Sequence, residues 1–398
     1  MLASSFLLVL LVPAALIDPF FASSPADERP VGRLEKLHAD GSAELATANG
    51  PVVVRDLVSL RRSTTTLPPL PRGPLLITTN GDRLPGSLVG GDDRSLHFRP
   101  SFTESEWEVP LASVSVIWLT KPPAETPCDP ERYSWLPANR NRDILRFRNG
   151  DVASGTLEGF TPGKPTLRFK PETGEVRDLP FAEVSAIAFN PTLARSRKPK
   201  GPYARLVLSD GTRLAVTMAT ADTETLKGKT LFGSSVELPI ANLVSLDVVQ
   251  GKAIYLSDLK PKRVEQAGFL GAGWSFTANR NVRGEPLRIL TAEGVNTFDR
   301  GIGTHPKTTL TYDLGGKYRR FEAVVGLDAS CDRGRAAVRI LVDRKERVLP
   351  ELQKLTAGPA TAVRIDIVGA KELTLIVDFG LAGDVQADVN WGDARLVE

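Results

Sequence analysis

Cysteine, histidine and methionine are scarce in this 398-residue chain, at two, three and two residues. Cys128 and Cys331 stand far apart with no Cys-x-x-Cys pair, and His38, His97 and His305 lack ligand spacing, which argues against a zinc site. A single long-range disulfide between Cys128 and Cys331 stays open, since an exported chain permits one. Helical periodicity is scarce too: outside a short stretch near 349–355, no 3.6-residue apolar period persists. No Gly-x-Ser-x-Gly, His-Glu-x-x-His, P-loop or strand-linked Gly-x-Gly-x-x-Gly occurs, so the common enzyme motifs are missing. Charge of one sign is also absent in excess. Fifty basic residues face 47 acidic ones, a net +3, which argues against a dedicated nucleic-acid binder.

What the chain does have is 34 glycines and 30 prolines, with a globular 41% hydrophobic content. That balance favours many turns and short strands, and the length suggests about two to four domains. Residues 2–17 read LASSFLLVLLVPAALI, an apolar run of signal-peptide length that Pro13 interrupts. Small residues follow at Ala22-Ser23-Ser24-Pro25-Ala26, and cleavage after Ala22 or Ala26 fits them. No Lys or Arg precedes the run, so a retained membrane anchor is the alternative for residues 1–26. Either reading implies export to the periplasm, envelope or exterior, with membrane contact only if the segment is retained.

The next two thirds repeat. LLITTNGDRLPGSL–SLHFRP–VPLASVSVIWL lies within 74–119, ILRFRNGDVASGTL–TLRFKP–LPFAEVSAIAF within 142–189, and ARLVLSDGTRLAVTM–ETLKGKTLFG–LPIANLVSLDVV within 204–250. A shorter copy occupies 27–63. Asn80-Gly81, Asn149-Gly150 and Asp210-Gly211 are dipeptides that accept positive φ at a tight hairpin, and the flanking residues alternate with a strand's period of two. Gly86 and Gly155 fall where a strand bends hard. The order of features resembles the Sm-like or SH3-like small barrel. RNA binding is not carried over, because no repeat shows a basic-aromatic platform for stacked bases. The Pro-rich segment 120–141 and the basic segment 190–203 read as linkers. Arg195, Arg197, Lys198 and Lys200 suit either an anionic polymer or plain solvation.

The last segment, 251–398, opens on Ile254-Tyr255-Leu256-Ser257-Asp258-Leu259. It continues through Asn281-Val282-Arg283-Gly284 and Arg300-Gly301-Ile302-Gly303-Thr304-His305. Leu310-Thr311-Tyr312-Asp313-Leu314 and the stretch from Tyr318 to Asp328 follow. AVRILVD at 337–343, Ile365-Asp366-Ile367-Val368-Gly369-Ala370 and finally Val389-Asn390-Trp391-Gly392-Asp393-Ala394-Arg395-Leu396 complete the set. In this order these elements resemble the NPCBM module, a galactose-binding-like β-sandwich. Apolar runs such as 336–340 and 373–377 agree with two packed antiparallel sheets. The chain as a whole therefore reads as all-β: tandem small barrels followed by a jelly-roll sandwich.

The resemblance implies a glycan partner, galactose-type first, and no catalytic residue. The candidate sugar contacts are Trp274, Asn279, Arg280, His305, Asp388, Asn390 and Trp391. Trp274 follows Gly271-Ala272-Gly273 on a loop, where an indole either stacks on a pyranose or packs over the sandwich edge. Trp391 in the closing strand fits a core position as well as a binding one. Many members of the family carry an Asp-His pair shortly before that Trp, where this chain has Ala387-Asp388. No cofactor is expected, although such folds often hold a structural Ca²⁺, for which Asp258 and Asp328 are the candidates. The reading is an exported non-catalytic carbohydrate-binding protein. One alternative is a scaffold for envelope proteins that has lost sugar binding; another is a glycoside hydrolase whose carboxylate pair lies among the 47 acidic residues.

Overall fold

The computed structural model describes residues 18–26, 29–195, 199–267, 274–380, 383 and 385–398. The apolar run 2–17 lies outside the described residues, as do Arg197 and Lys198 of the basic segment. Among the described residues the only α-helix is Pro350–Gln353, and no helix is long and apolar enough to cross a membrane. The chain is all-β.

In the first full repeat, Leu75–Thr78, Arg83–Gly91, Ser95–Pro100 and Trp107–Pro110 form an antiparallel meander. A 3-10 turn at Leu111–Ser113 then sends Val114–Trp118 back to pair with Leu75–Thr78. The same order recurs from Asp143–Phe147 to Val184–Ala188 and from Tyr203–Leu208 to Leu243–Val249. Gly81, Gly150 and Gly211 all take positive φ, between 84° and 94°. At Gly86 and Gly155 a Cβ would run into the carbonyls of Arg99 and Lys170, which is why the bent second strand has glycine there.

The shorter copy is completed from an unexpected place. Phe20–Ser23 is its first strand, pairing with both Val31–Leu37 and Ser59–Arg62. Phe20 and Ala22 are fully buried, with the Arg62 guanidinium 4.5 Å from the Phe20 ring centroid. Cleavage after Ala22 would cut this strand, and cleavage after Ala26 would remove it.

Neither do the repeats hang apart on linkers. The last strands of neighbouring copies pair: Val114–Trp118 with Val184–Ala188 in register Ile117↔Ile187, and Ser59–Arg62 with Leu243–Val249 in register Leu60↔Leu246. Val184–Ala188 is buried at every position, as a strand flanked on both sides should be. These pairings join the copies two by two, and the backbone pairing of Arg83 with Arg213 links the two pairs, so the strands from Phe20 to Val249 share one 20-stranded sheet over a common apolar core. Segment 120–141, expected as a mobile linker, is docked. Tyr133 is buried, stacks on Trp135, and both rings meet Trp118 edge-on.

The remaining strands form two six-stranded sheets and a hairpin. Val389–Val397 lies between Gly301–Thr304 and Arg320–Leu327 in one sheet, and Glu372–Phe379 lies between Thr308–Asp313 and Arg335–Val342 in the other. Their inner faces supply a separate core around Tyr312, Phe321 and Trp391. Between the two units runs a polar seam. Arg395 reaches Ser23 and Ser59, Arg320 reaches the carbonyls of Ser24 and Pro25, and Arg61 pairs with Asp393 at 2.6 Å. Glu322, held by Arg395, Arg320 and Arg29, anchors this seam. Burial opposes its ionisation, but those guanidiniums pull its carboxyl down to about 2. Cys128 and Cys331 are both free thiols, so the disulfide left open by the sequence is absent.

Candidate functional site

The sequence candidates separate into three places. Trp274, His305 and Asp388 come together at one end of the sandwich. Gln266, at the end of the Arg263–Gln266 strand, donates to the Trp274 carbonyl at 2.7 Å. The Trp274 side chain remains half in solvent, at 51% exposure. Its ring centroid lies 5.7 Å from that of His305. His305 directly follows the Gly301–Thr304 strand and is buried, with Nδ1 2.7 Å from Asp388 Oδ1. Arg283, exposed at the rim, meets the other Asp388 oxygen at 3.4 Å. A histidine braced by a carboxylate thus lies against a half-exposed indole, with a guanidinium at the rim.

Asn279 and Arg280 turn away from that end. Asn279 adopts φ +60°, and its side-chain oxygen and backbone N–H engage Gly301. Arg280 forms a two-pronged pair with Asp129 of the docked 120–141 segment, at 2.6 and 2.8 Å. Both residues line a cleft facing the repeats, so they do not complete the Trp274 site.

Asn390 and Trp391 are fully buried and offer a sugar no surface. Trp391 donates from Nε1 to Thr304 Oγ1 within the core, and Asn390 donates to Asp328 and to the Arg288 carbonyl. Their place in a central strand decides this, since its neighbours cover both edges. The calcium candidates are likewise committed. Asp258 pairs with Arg300 at 2.7 Å, and buried Asp328 accepts from Asn281, Asn390 and Ser330. Among the described residues no group of three or more His, Cys, Asp or Glu could hold a metal.

Arg283 was missed in the sequence as a site residue, having no local signal beyond its place in a Gly-containing turn. The His305–Asp388 pair was missed as a pair because its members are 83 residues apart.

Residues 252–397 match the NPCBM/NEW2 domain. The match covers the sandwich and stops short of the repeats. Solved structures similar to the chain include the CBM51 module of a Clostridium perfringens GH95 protein in complex with methyl-galactose. It is 24% identical, with 36% of this chain and 99% of that one covered at a TM-score of 0.34. The CBM51-2 and INT domains of Clostridium perfringens ZmpB, in complex with GlcNAc, are 26% identical at a TM-score of 0.34, covering 44% of this chain and 36% of that one. A tandem of CBM51 modules from a Streptococcus pneumoniae family 98 glycoside hydrolase is 12% identical, covering 95% of this chain and 99% of that one at a TM-score of 0.33. No curated protein matches the chain. Among the described residues of this segment, the Trp274 end presents an exposed aromatic ring beside polar groups.

Proposed function

We propose that this protein is an exported, non-catalytic carbohydrate-binding protein whose NPCBM module takes a galactose-type sugar at the Trp274 end. The observation that carries the reading is the half-exposed indole standing over the buried His305–Asp388 pair. An indole face stacks on the C–H face of a pyranose, while Arg283 donates to its hydroxyls and Asp388 holds the imidazole in place. Such a shallow contact supports a Kd on the order of 0.1–1 mM. The apolar run 2–17 supports export. Because Phe20–Ser23 is a core strand, removal of the leader falls before Asp18, or the run stays as an anchor.

A broad glycan array on the full chain, with methyl-galactose and GlcNAc included, tests the binding. Signal on galactose-type glycans that Trp274→Ala abolishes is the expected result. A blank array would favour the scaffold reading, and turnover of any arrayed glycan would favour the hydrolase reading.

A further inference from the structure

Away from the Trp274 end, a cleft of about 360 Å³ lies between the repeat sheet and the sandwich. That volume is within the about 300–1,000 Å³ of small-molecule sites. Five arginines and three aspartates line it, for a net charge of +2. Most of these charges are already matched. Asp129 is shared by Arg83 and Arg280, and Asp299 receives the fork of Arg213 at 2.9 and 3.1 Å.

Three groups keep hydrogen-bonding capacity that nothing answers. Arg205, half-buried on the Tyr203–Leu208 strand, makes no hydrogen bond or ion pair among the described residues. Arg300 is 9% exposed and gives one nitrogen to Asp258, while its buried Nε has no partner. Asp247, the cross-strand neighbour of Arg205 and 9% exposed, lies 3.8 Å from the Arg61 guanidinium, and its Oδ1 accepts no hydrogen bond. Beside them, Asn279 has its oxygen committed to Gly301, which leaves its amide nitrogen as a further donor.

Donors and a buried carboxylate oxygen left without hydrogen bonds in one cavity are costly unless a ligand answers both. An inorganic anion would satisfy the arginines but face Asp247. A neutral sugar would donate to Asp247 and leave Arg205 unanswered. We propose that the cleft binds an acidic sugar of the uronate class, its carboxylate on the Arg205 and Arg300 guanidiniums, and a ring hydroxyl donating to Asp247. The repeats supply Arg205 and Asp247 and the NPCBM module supplies Arg300 and Asn279, so the site exists only when the two units are docked. It does not depend on the Trp274 site.

The test is calorimetry on the full chain carrying Trp274→Ala, so that the first site contributes nothing, with galacturonate, glucuronate, galactose and inorganic sulfate. Expected is uronate binding at least about tenfold tighter than galactose or sulfate, weakened about tenfold or more by Arg205→Gln and also by Asp247→Asn. Arg205→Gln should shift the thermal midpoint of its parent little, since Arg205 makes no hydrogen bond and acts on Asp82 and Asp299 only through its charge at a distance. Absence of uronate binding, equal binding of sulfate, or uronate binding indifferent to both substitutions would each overturn the proposal and leave the Trp274 reading untouched.

Discussion

The repeat unit and the NPCBM module are both antiparallel β, but they close their edges differently. In the repeats the last strand of each copy pairs with the last strand of another, and the backbone pairing of Arg83 with Arg213 joins the two pairs into one sheet with a shared core. In the module the central strands are covered by their own neighbours, and one end leaves an indole in solvent. The first arrangement makes every copy depend on another. The second frees a loop for contact with something outside the chain.

The largest expected effect comes from breaking the repeat unit at its least obvious strand. A chain lacking residues 1–26 should lose cooperative unfolding or fall by more than the about 3–5 kcal/mol that Phe20→Ala alone costs, while a chain lacking only 1–17 unfolds as the whole does. Thermal unfolding of the two truncations decides it. Equal midpoints would show that Phe20–Ser23 is dispensable.

The two tryptophans of the module should separate by kind. Trp391→Ala empties a fully buried site and should cost about 3–5 kcal/mol in denaturant unfolding. Trp274→Ala, half in solvent, should cost under about 1 kcal/mol and act on sugar binding instead.

The two regions should also respond to pH in opposite directions. Asp82 of the repeats is buried and accepts from the Ala215 N–H, and burial pushes its carboxyl up to about 6. In the folded chain it stays protonated where the unfolded chain has ionised. Its favourable contribution is therefore full below about pH 4 and lost as pH rises through about 6, on the order of 3 kcal/mol. Asp82→Asn should then stabilise the chain at pH 8 and do nothing at pH 4. Glu322 at the seam, drawn down to about 2, contributes above about pH 4.5 and loses that contribution as pH falls toward 2. Glu322→Gln should consequently destabilise at pH 7 and flatten the acid limb. Urea midpoints across pH 2–8 check both, and parallel curves for the two variants would contradict the assignment.

The difference between the regions also governs what the sequence reveals. Local chemistry was legible: Asn-Gly and Asp-Gly turns, bent-strand glycines, the ordered NPCBM elements and a tryptophan after Gly271-Ala272-Gly273. Pairings between distant segments were not. Nothing near Phe20 announces a strand inside a leader-like run, because small and apolar residues satisfy both descriptions. Pairing of Ser59–Arg62 with Leu243–Val249 depends on how two copies meet, which no local period encodes. Arg280 looks like a loop-borne sugar ligand until Asp129 docks against it, and Asp388 meets His305 only when the two strands come together.

The central claim, that the Trp274 end is a sugar site, has a direct measurement. Indole N–H resonances of the full chain are recorded during titration with methyl-galactose, with the Trp274 signal assigned by its loss in Trp274→Ala. Selective movement of that one resonance, saturating with a Kd on the order of 0.1–1 mM while the Trp391 signal stays still, is the predicted result. A Trp274 resonance that does not move at saturating sugar, or binding that survives Trp274→Ala unchanged, would contradict it.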